Sequence, residues 1–304
     1  MRKKKTILLI FLTIIFALVS GGCGSGTNES GPNIINAKEA VGLLGSGNYV
    51  LIDTQDAEAY GNEHIKDAVN ITRNDIVINI PVENMLAPKA KVQSVMGKRG
   101  ITKDSELLIY DNNNNMDAAR LWFTLLVYGH DPQKMKVVSG GLKALKEYGE
   151  ITSEVPATTA ATYTIEGKNE DMIATLDEVK AQVDDPQENV ILLDVRTQEE
   201  YDEGTIPGAV LYDYINNNFS DGTYRPSDHI KIDYIENGLT PDKTIIMYCK
   251  TSIRAAQTYL ALYNAGYRNL KIYDGAWLEW SANSSLPVQR PEENVIQPSV
   301  KDMS

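Results

Sequence analysis

Ile245-Ile246-Met247-Tyr248-Cys249-Lys250-Thr251-Ser252-Ile253-Arg254-Ala255-Ala256 is the stretch that decides how this chain is read. An unbroken apolar run over 244–248 enters Cys249, the pattern of a strand buried on both faces. A helical pattern opens near Arg254 and continues through Leu260 and Tyr263. Cys249 therefore ends a strand and begins a short loop wrapped around a helix N-terminus. Open α/β sheets bind ligands outside the carboxyl ends of their strands. Backbone N–H groups of such a loop converge on whatever it holds, and the helix dipole favours negative charge there. Lys250 and Arg254 add positive charge, and such surroundings raise the thiolate fraction of a cysteine. The competing reading of Cys249 is a small apolar filler at a strand end, a common role for free cysteines. The strand–loop–helix setting and its two cations favour the reactive one.

Outward from this loop the chain repeats itself. At a spacing of 141 residues, Val50-Leu51-Ile52-Asp53 meets Ile191-Leu192-Leu193-Asp194, Tyr60 meets Tyr201, and Ala68-Val69 meets Ala209-Val210. The spacing drifts to 138 where Leu107–Asp111 meets Ile245–Cys249, and to 135 where Val137–Gly140 meets Ile272–Gly275. A drifting offset means small loop deletions within a duplicated domain. Each half alternates apolar runs (50–53, 107–110, 136–138; 190–194, 244–248, 270–273) with helical patterns (36–45, 117–128; 174–183, 254–265). That alternation predicts an α/β fold, with a mainly parallel sheet in each half and helices on both faces. The segment 151–162, ITSEVPATTAAT, has no period and reads as a linker between domains 34–150 and 163–290. The polar stretch 291–304, with Pro291 and Pro298, reads as a loose tail.

The first residues read as an address. Arg2 to Lys5 are basic, 6–19 are apolar, and Ser20-Gly21-Gly22 precede Cys23. Fourteen apolar residues suit a signal better than a spanning helix, which needs about 20. The order resembles a bacterial lipoprotein signal, although Ser20 stands where Leu or Val is usual. That resemblance implies cleavage after 22, lipidation of Cys23, a flexible tether over 23–33 and anchoring on the outer side of the cell membrane. Composition bounds the rest. Of the 304 residues, 42% are apolar and 23% charged, as in a globular protein. A net charge of −12 argues against nucleic-acid binding. Two cysteines and three histidines (His64, His130, His229) make neither a disulfide scaffold nor a zinc site, and the histidines read as surface or loop residues.

The chain resembles the tandem-domain rhodaneses, the sulfurtransferase family. Leu193-Asp194-Val195-Arg196 with Glu200-Tyr201, then Gly204-Thr205-Ile206-Pro207-Gly208-Ala209, resembles the family's first signature, with Thr205 where His is usual. Tyr273-Asp274-Gly275-Ala276-Trp277-Leu278-Glu279-Trp280 resembles its C-terminal signature, and Cys249 to Arg254 resembles its six-residue active-site loop, with Ser252 where Gly is frequent. The resemblance implies transfer of a sulfane sulfur through a persulfide on Cys249, from a small donor to cyanide or a thiol, with no metal or other cofactor. It implies substrate contacts from Arg254, Lys250, Thr251, Ser252, Ile253 and Arg196. The competing role for Arg254 is a bond to a nearby carboxylate; Arg196 could equally be a structural partner of Asp194 or Glu200. Trp277 and Trp280 read as core aromatics. The first half resembles the family's non-catalytic domain: Asp111 replaces Cys249, Asn112-Asn113-Asn114-Asn115 forms the loop, and Asp117 sits where Arg254 would be.

Three alternatives are distinguishable. Cysteine phosphatases and arsenate reductases place five residues between Cys and Arg; this loop has four. A persulfide carrier or interaction module at the cell surface needs no turnover, but retention of Cys249 beside Arg254 weighs against an inactive module. Family members specific for 3-mercaptopyruvate carry short uncharged loops, whereas Lys250 and Arg254 suggest a doubly charged donor such as thiosulfate. Oligomeric state is not set by these features.

Overall fold

The structure is a computed structural model that describes residues 32–291. The predicted signal, Cys23, most of the tether and the tail beyond residue 291 lie outside the described residues.

Each half builds a five-stranded, all-parallel sheet. In the first the order is Ile34–Ile35, Met135–Val138, Glu106–Tyr110, Tyr49–Asp53, Val69–Asn70. In the second it is Ile173–Ala174, Leu270–Tyr273, Thr244–Tyr248, Val190–Asp194, Val210–Leu211. The central strands carry the unbroken apolar runs because both of their faces are covered. Alternate side chains of Glu106–Tyr110 show it: Leu107 and Ile109 enter one hydrophobic cluster, Leu108 and Tyr110 another. In Thr244–Tyr248, Ile245 and Met247 face the first of these clusters, Ile246 and Tyr248 a third.

The cluster shared by the two halves is one continuous core. Its centre is a pair of equivalent helices, Met116–Val127 and Ile253–Asn264, which pack on each other. Both are buried nearly all round because one side meets the parent sheet and the other meets the opposite half. Trp122 and Phe123 from one helix meet Tyr259 from the other, with ring centroids 6.5 and 4.8 Å apart. The segment 151–162 lies along the first half. Ile151–Thr152 pairs antiparallel with His64–Ile65, and Ala161 N donates to Gly97 O at 2.9 Å. A Cβ at Gly97 would stand 2.6 Å from Ala161 O, so only glycine permits that approach.

Two histidines depart from expectation. His64 is buried, stacked on Tyr60, with its ring nitrogens 2.8 Å from Tyr60 O and 3.2 Å from Glu154 O. His130 is buried between Tyr163 OH and Ser105 O, and burial pushes its pKa down to about 4. Apart from Tyr60, four residues before His64, the partners of both rings lie 25 to 90 residues away, so the sequence around each histidine does not mark it as interior. His229 is exposed, as read. No helix among the described residues is long and apolar enough to cross a membrane.

Candidate active site

Cys249 follows Thr244–Tyr248 directly and is 1% exposed. The loop that it opens is stitched to the turn after Leu270–Tyr273. Trp277 N donates to Cys249 O at 2.9 Å, and Leu278 N to Lys250 O at 3.2 Å. Ser252 caps Ile253–Asn264 in the left-handed region, at φ 66°. That conformation costs a non-glycine residue about 1 kcal/mol. The Ser252 hydroxyl offsets it by donating to Tyr273 O and Asp274 O at 2.9 and 3.0 Å, which glycine could not do.

The first half shows what this loop shape holds. Asn115 caps Met116–Val127 at φ 64°, and the equivalent helices start 137 residues apart, which sets Asp117 opposite Arg254. Asp111 fills the cradle with its own carboxylate. Oδ1 accepts from the amides of Asn113 and Asn115, both at 3.0 Å, and Oδ2 from those of Asp117 and Ala118 at 2.9 and 3.1 Å. The first-half loop is thus an anion cradle, with five residues between Asp111 and Asp117 against four between Cys249 and Arg254. In the second half Cys249 stands at that point, and the equivalent amides of Ser252, Arg254 and Ala255 find no backbone acceptor among the described residues.

Burial of Asp111 outweighs its four amide donors and pushes its pKa up to about 6. The native protein therefore holds this proton more tightly than the unfolded chain does. Its contribution to stability is full below about pH 4 and is lost as pH rises through about 6, a change of at most about 3 kcal/mol. The stability difference between the wild type and Asp111→Asn, measured by urea unfolding, should shrink from about pH 4 to about pH 6 and stay level above. A difference independent of pH would remove Asp111 as its source.

The six predicted contact residues divide. Lys250 and Thr251 reach solvent. The side chains of Ser252 and Ile253 are buried and leave only their backbone N–H groups for a ligand. Arg254 is partly buried, with Nη1 and Nη2 2.5 and 2.8 Å from Glu200 Oε2 and Oε1. Its guanidinium lies 5.8 Å from the centroid of the Tyr214 ring. Burial opposes the Arg254 charge, but Glu200 and the nearby Cys249 hold its pKa above the ordinary value. The same contact wins over burial at Glu200 and holds its carboxyl below the usual range. The carboxylate partner and the nearness to Cys249 thus coexist.

Arg196 does not join this group. It is 2% exposed, with Nε and Nη2 on Asp194 at 2.9 and 2.6 Å, Nη2 on Gly204 O at 2.7 Å, and Trp277 4.5 Å below its plane. Asp194 and Gly204 hold Nε and Nη2, which is the geometry of a structural clamp, while Nη1 has no hydrogen-bond partner among the described residues. Thr205 completes the clamp, donating to Asp194 Oδ2 at 3.0 Å and sharing a 2.7 Å hydrogen bond with Tyr248 OH. His64 holds the equivalent place in the first half, 141 residues earlier. Trp280 is a core residue whose Nε1 donates to Pro287 O at 2.8 Å; Trp277 is half-buried.

Sequence reasoning missed Glu200 as the partner of Arg254, and missed what the first half brings to the mouth. Asn115 Nδ2 donates to Gly222 O at 2.8 Å, Asn114 faces Tyr214, and Ser139 Oγ accepts from Tyr224 N at 2.8 Å. The loop lacking cysteine clamps the segment that walls the site. A junction cavity of about 460 Å³, lined by Ser139, Lys143, Tyr224 and Arg225, does not include Cys249.

Two α/β domains of one topology, with a single cysteine-bearing cradle in the second, define the class. The rhodanese-like domain matches residues 36–148 and again 175–283, and the chain belongs to that family. It is 28% identical over 260 residues to the "Putative thiosulfate sulfurtransferase" of Haloferax volcanii, covering 80% of this chain and 89% of that one. It is also 28% identical over 232 residues to the "Sulfur carrier protein TtuD" of Thermus thermophilus, covering 70% and 81%. Among solved structures, wild-type EanB superposes with a TM-score of 0.75 at 20% identity, over 85% of this chain and 69% of that one. YnjE superposes with 0.75 at 19% identity, over 84% and 68%. At those identities the structures establish a common fold.

Proposed function

We propose that the protein is a sulfurtransferase that carries a sulfane sulfur on Cys249, from thiosulfate or a similar donor to cyanide or a thiol. The observation that carries this reading is the pair of cradles. One closes on a carboxylate, and the other, one residue shorter, carries a thiol at its strand end beside helix-start amides that have no backbone acceptor among the described residues. The Cys249 thiolate attacks the outer sulfur of the donor, and a new S–S bond forms. The donor's own S–S bond breaks, and sulfite leaves with the electron pair. The cradle N–H groups and Arg254 oppose the negative charge of the persulfide and of the leaving group. An acceptor thiolate or cyanide then takes the terminal sulfur, and the Cys249 thiolate returns. With Cys249 1% exposed, only the slim sulfur end of a donor reaches it.

Incubation with thiosulfate should make the protein one sulfur atom heavier, with the added mass on the Cys249 peptide, and cyanide should remove it as thiocyanate. Thiocyanate release without that mass on Cys249 would refute the mechanism. The relative named a sulfur carrier supports a second reading, in which Cys249 loads once and discharges only to a protein partner. Repeated turnover with small acceptors would exclude it. The basic, apolar and small-residue order before Cys23 supports export and lipid anchoring at the cell surface. A Cys23→Ala chain that still partitions into detergent would refute the anchor.

A further inference from the structure

The fork that Arg254 could offer to a sulfur-bearing oxyanion is already filled. Glu200 meets both of its terminal nitrogens, at 2.5 and 2.8 Å, the two-point geometry by which arginine grips any oxyanion. Glu200 is itself held in place. It is the third residue of a capping box on the helix Gln198–Glu203, where its Oε2 accepts from Thr197 N at 3.2 Å. A second carboxylate, Asp213, stands close enough to feel the charges of both Arg254 and Glu200. Of the two cations beside Cys249, Arg254 is therefore neutralised by Glu200 with Asp213 nearby, and the mouth is less basic than the two cations alone suggest.

We propose that Glu200 is a specificity-determining residue. It is a built-in competing anion on Arg254 that selects against small dianionic donors and favours donors with less charge beside the transferable sulfur. The proposal rests on the sulfurtransferase reading and names the substrate class of that same site. A dianion has two courses. It can displace Glu200 from both nitrogens, which leaves a partly buried carboxylate with Thr197 N as its remaining partner. Otherwise it stays outside Arg254 and faces two like charges. A monoanion such as 3-mercaptopyruvate meets the same obstacle at lower cost, and a persulfide with no charge beside its outer sulfur meets it least.

Glu200→Gln separates the charge from the structural role, because glutamine keeps the side-chain length and an oxygen for Thr197 N. In the variant KM for thiosulfate should fall about tenfold, with KM for 3-mercaptopyruvate moving about threefold or less and kcat for both donors within about threefold. Glu199→Gln is the control. It removes the same charge from an exposed neighbour that makes no salt bridge to Arg254, and should leave both KM values within about twofold. An unchanged or higher KM for thiosulfate, or parallel changes with both donors, would overturn it while leaving the sulfurtransferase reading intact. Failure of wild type and variant alike to load sulfur from either donor, with a titratable Cys249 thiol, would overturn that reading and this proposal with it.

Discussion

Cys249→Ser should reduce sulfur transfer to background, a loss on the order of 10³-fold or more, with the fold and thermal stability retained. Serine is nearly isosteric with cysteine, and the site asks little of its side chain structurally. The contacts that hold the loop run through the Cys249 and Lys250 carbonyls and through the Ser252 hydroxyl. None of them needs sulfur. The chemistry does, because a serine hydroxyl cannot take up a sulfane sulfur reversibly as a thiolate can. The measurement is thiocyanate release together with intact mass, on protein whose unfolding curve matches the wild type. Turnover above a tenth of wild type would place the sulfur-carrying group elsewhere. Cys249 is the free cysteine among the described residues, which leaves no second thiol there to share the role.

The cysteine loop was legible because its signals are local. An apolar run ending in Cys249 and a helical pattern from Arg254 lie within a dozen residues, and the duplicated pattern gave the parallel sheets twice. What was not legible depends on distance in sequence. Arg254 looked like a free cation because its partner Glu200 lies 54 residues away. The charge argument for a dianionic donor counted Arg254 and Lys250 but not the carboxylate that closes on one of them. The helices of 116–127 and 253–264 could be read from their apolar residues. That each buries its second side against the other could not, since periodicity reports burial without naming the partner. The helix Ser227–Glu236 leaves no periodic pattern in the sequence because it buries only Ile230 and Tyr234, too few to make a stripe. Two-residue strands such as Ile34–Ile35 have no period at all and are defined by the strand they join.

The junction between the halves yields the largest expected stability effect. Arg120, on the central helix of the first half, is 0% exposed. Its Nη2 lies 2.8 Å from Asp274 Oδ1 in the second half and 2.8 Å from Asn84 O. Asp274 Oδ2 accepts from Leu86 N at 2.7 Å, and the Asp274 carbonyl accepts from the Ser252 hydroxyl. One buried ion pair thus links the first half to the turn behind the cysteine loop. Its worth is not a simple sum. Nε and Nη1 of Arg120 are buried without a partner, so the intact pair carries a desolvation cost. Breaking it from one side is worse, because Arg120→Ala strands the Asp274 carboxylate in the core with Leu86 N alone. The expected loss is about 3–5 kcal/mol, a fall in Tm of about 6–10 °C for a chain of this size. If the charge is the cause, Arg120→Met with Asp274→Asn should recover most of that loss. The amide oxygen still serves Leu86 N, and no charge is left buried. Recovery in the double variant, with both single variants low, is the signature of a stranded charge. A Tm within about 2 °C of wild type for Arg120→Ala would mean that the ion pair contributes nothing to holding the halves together, and the shared core around Trp122 and Tyr259 would then carry the junction alone.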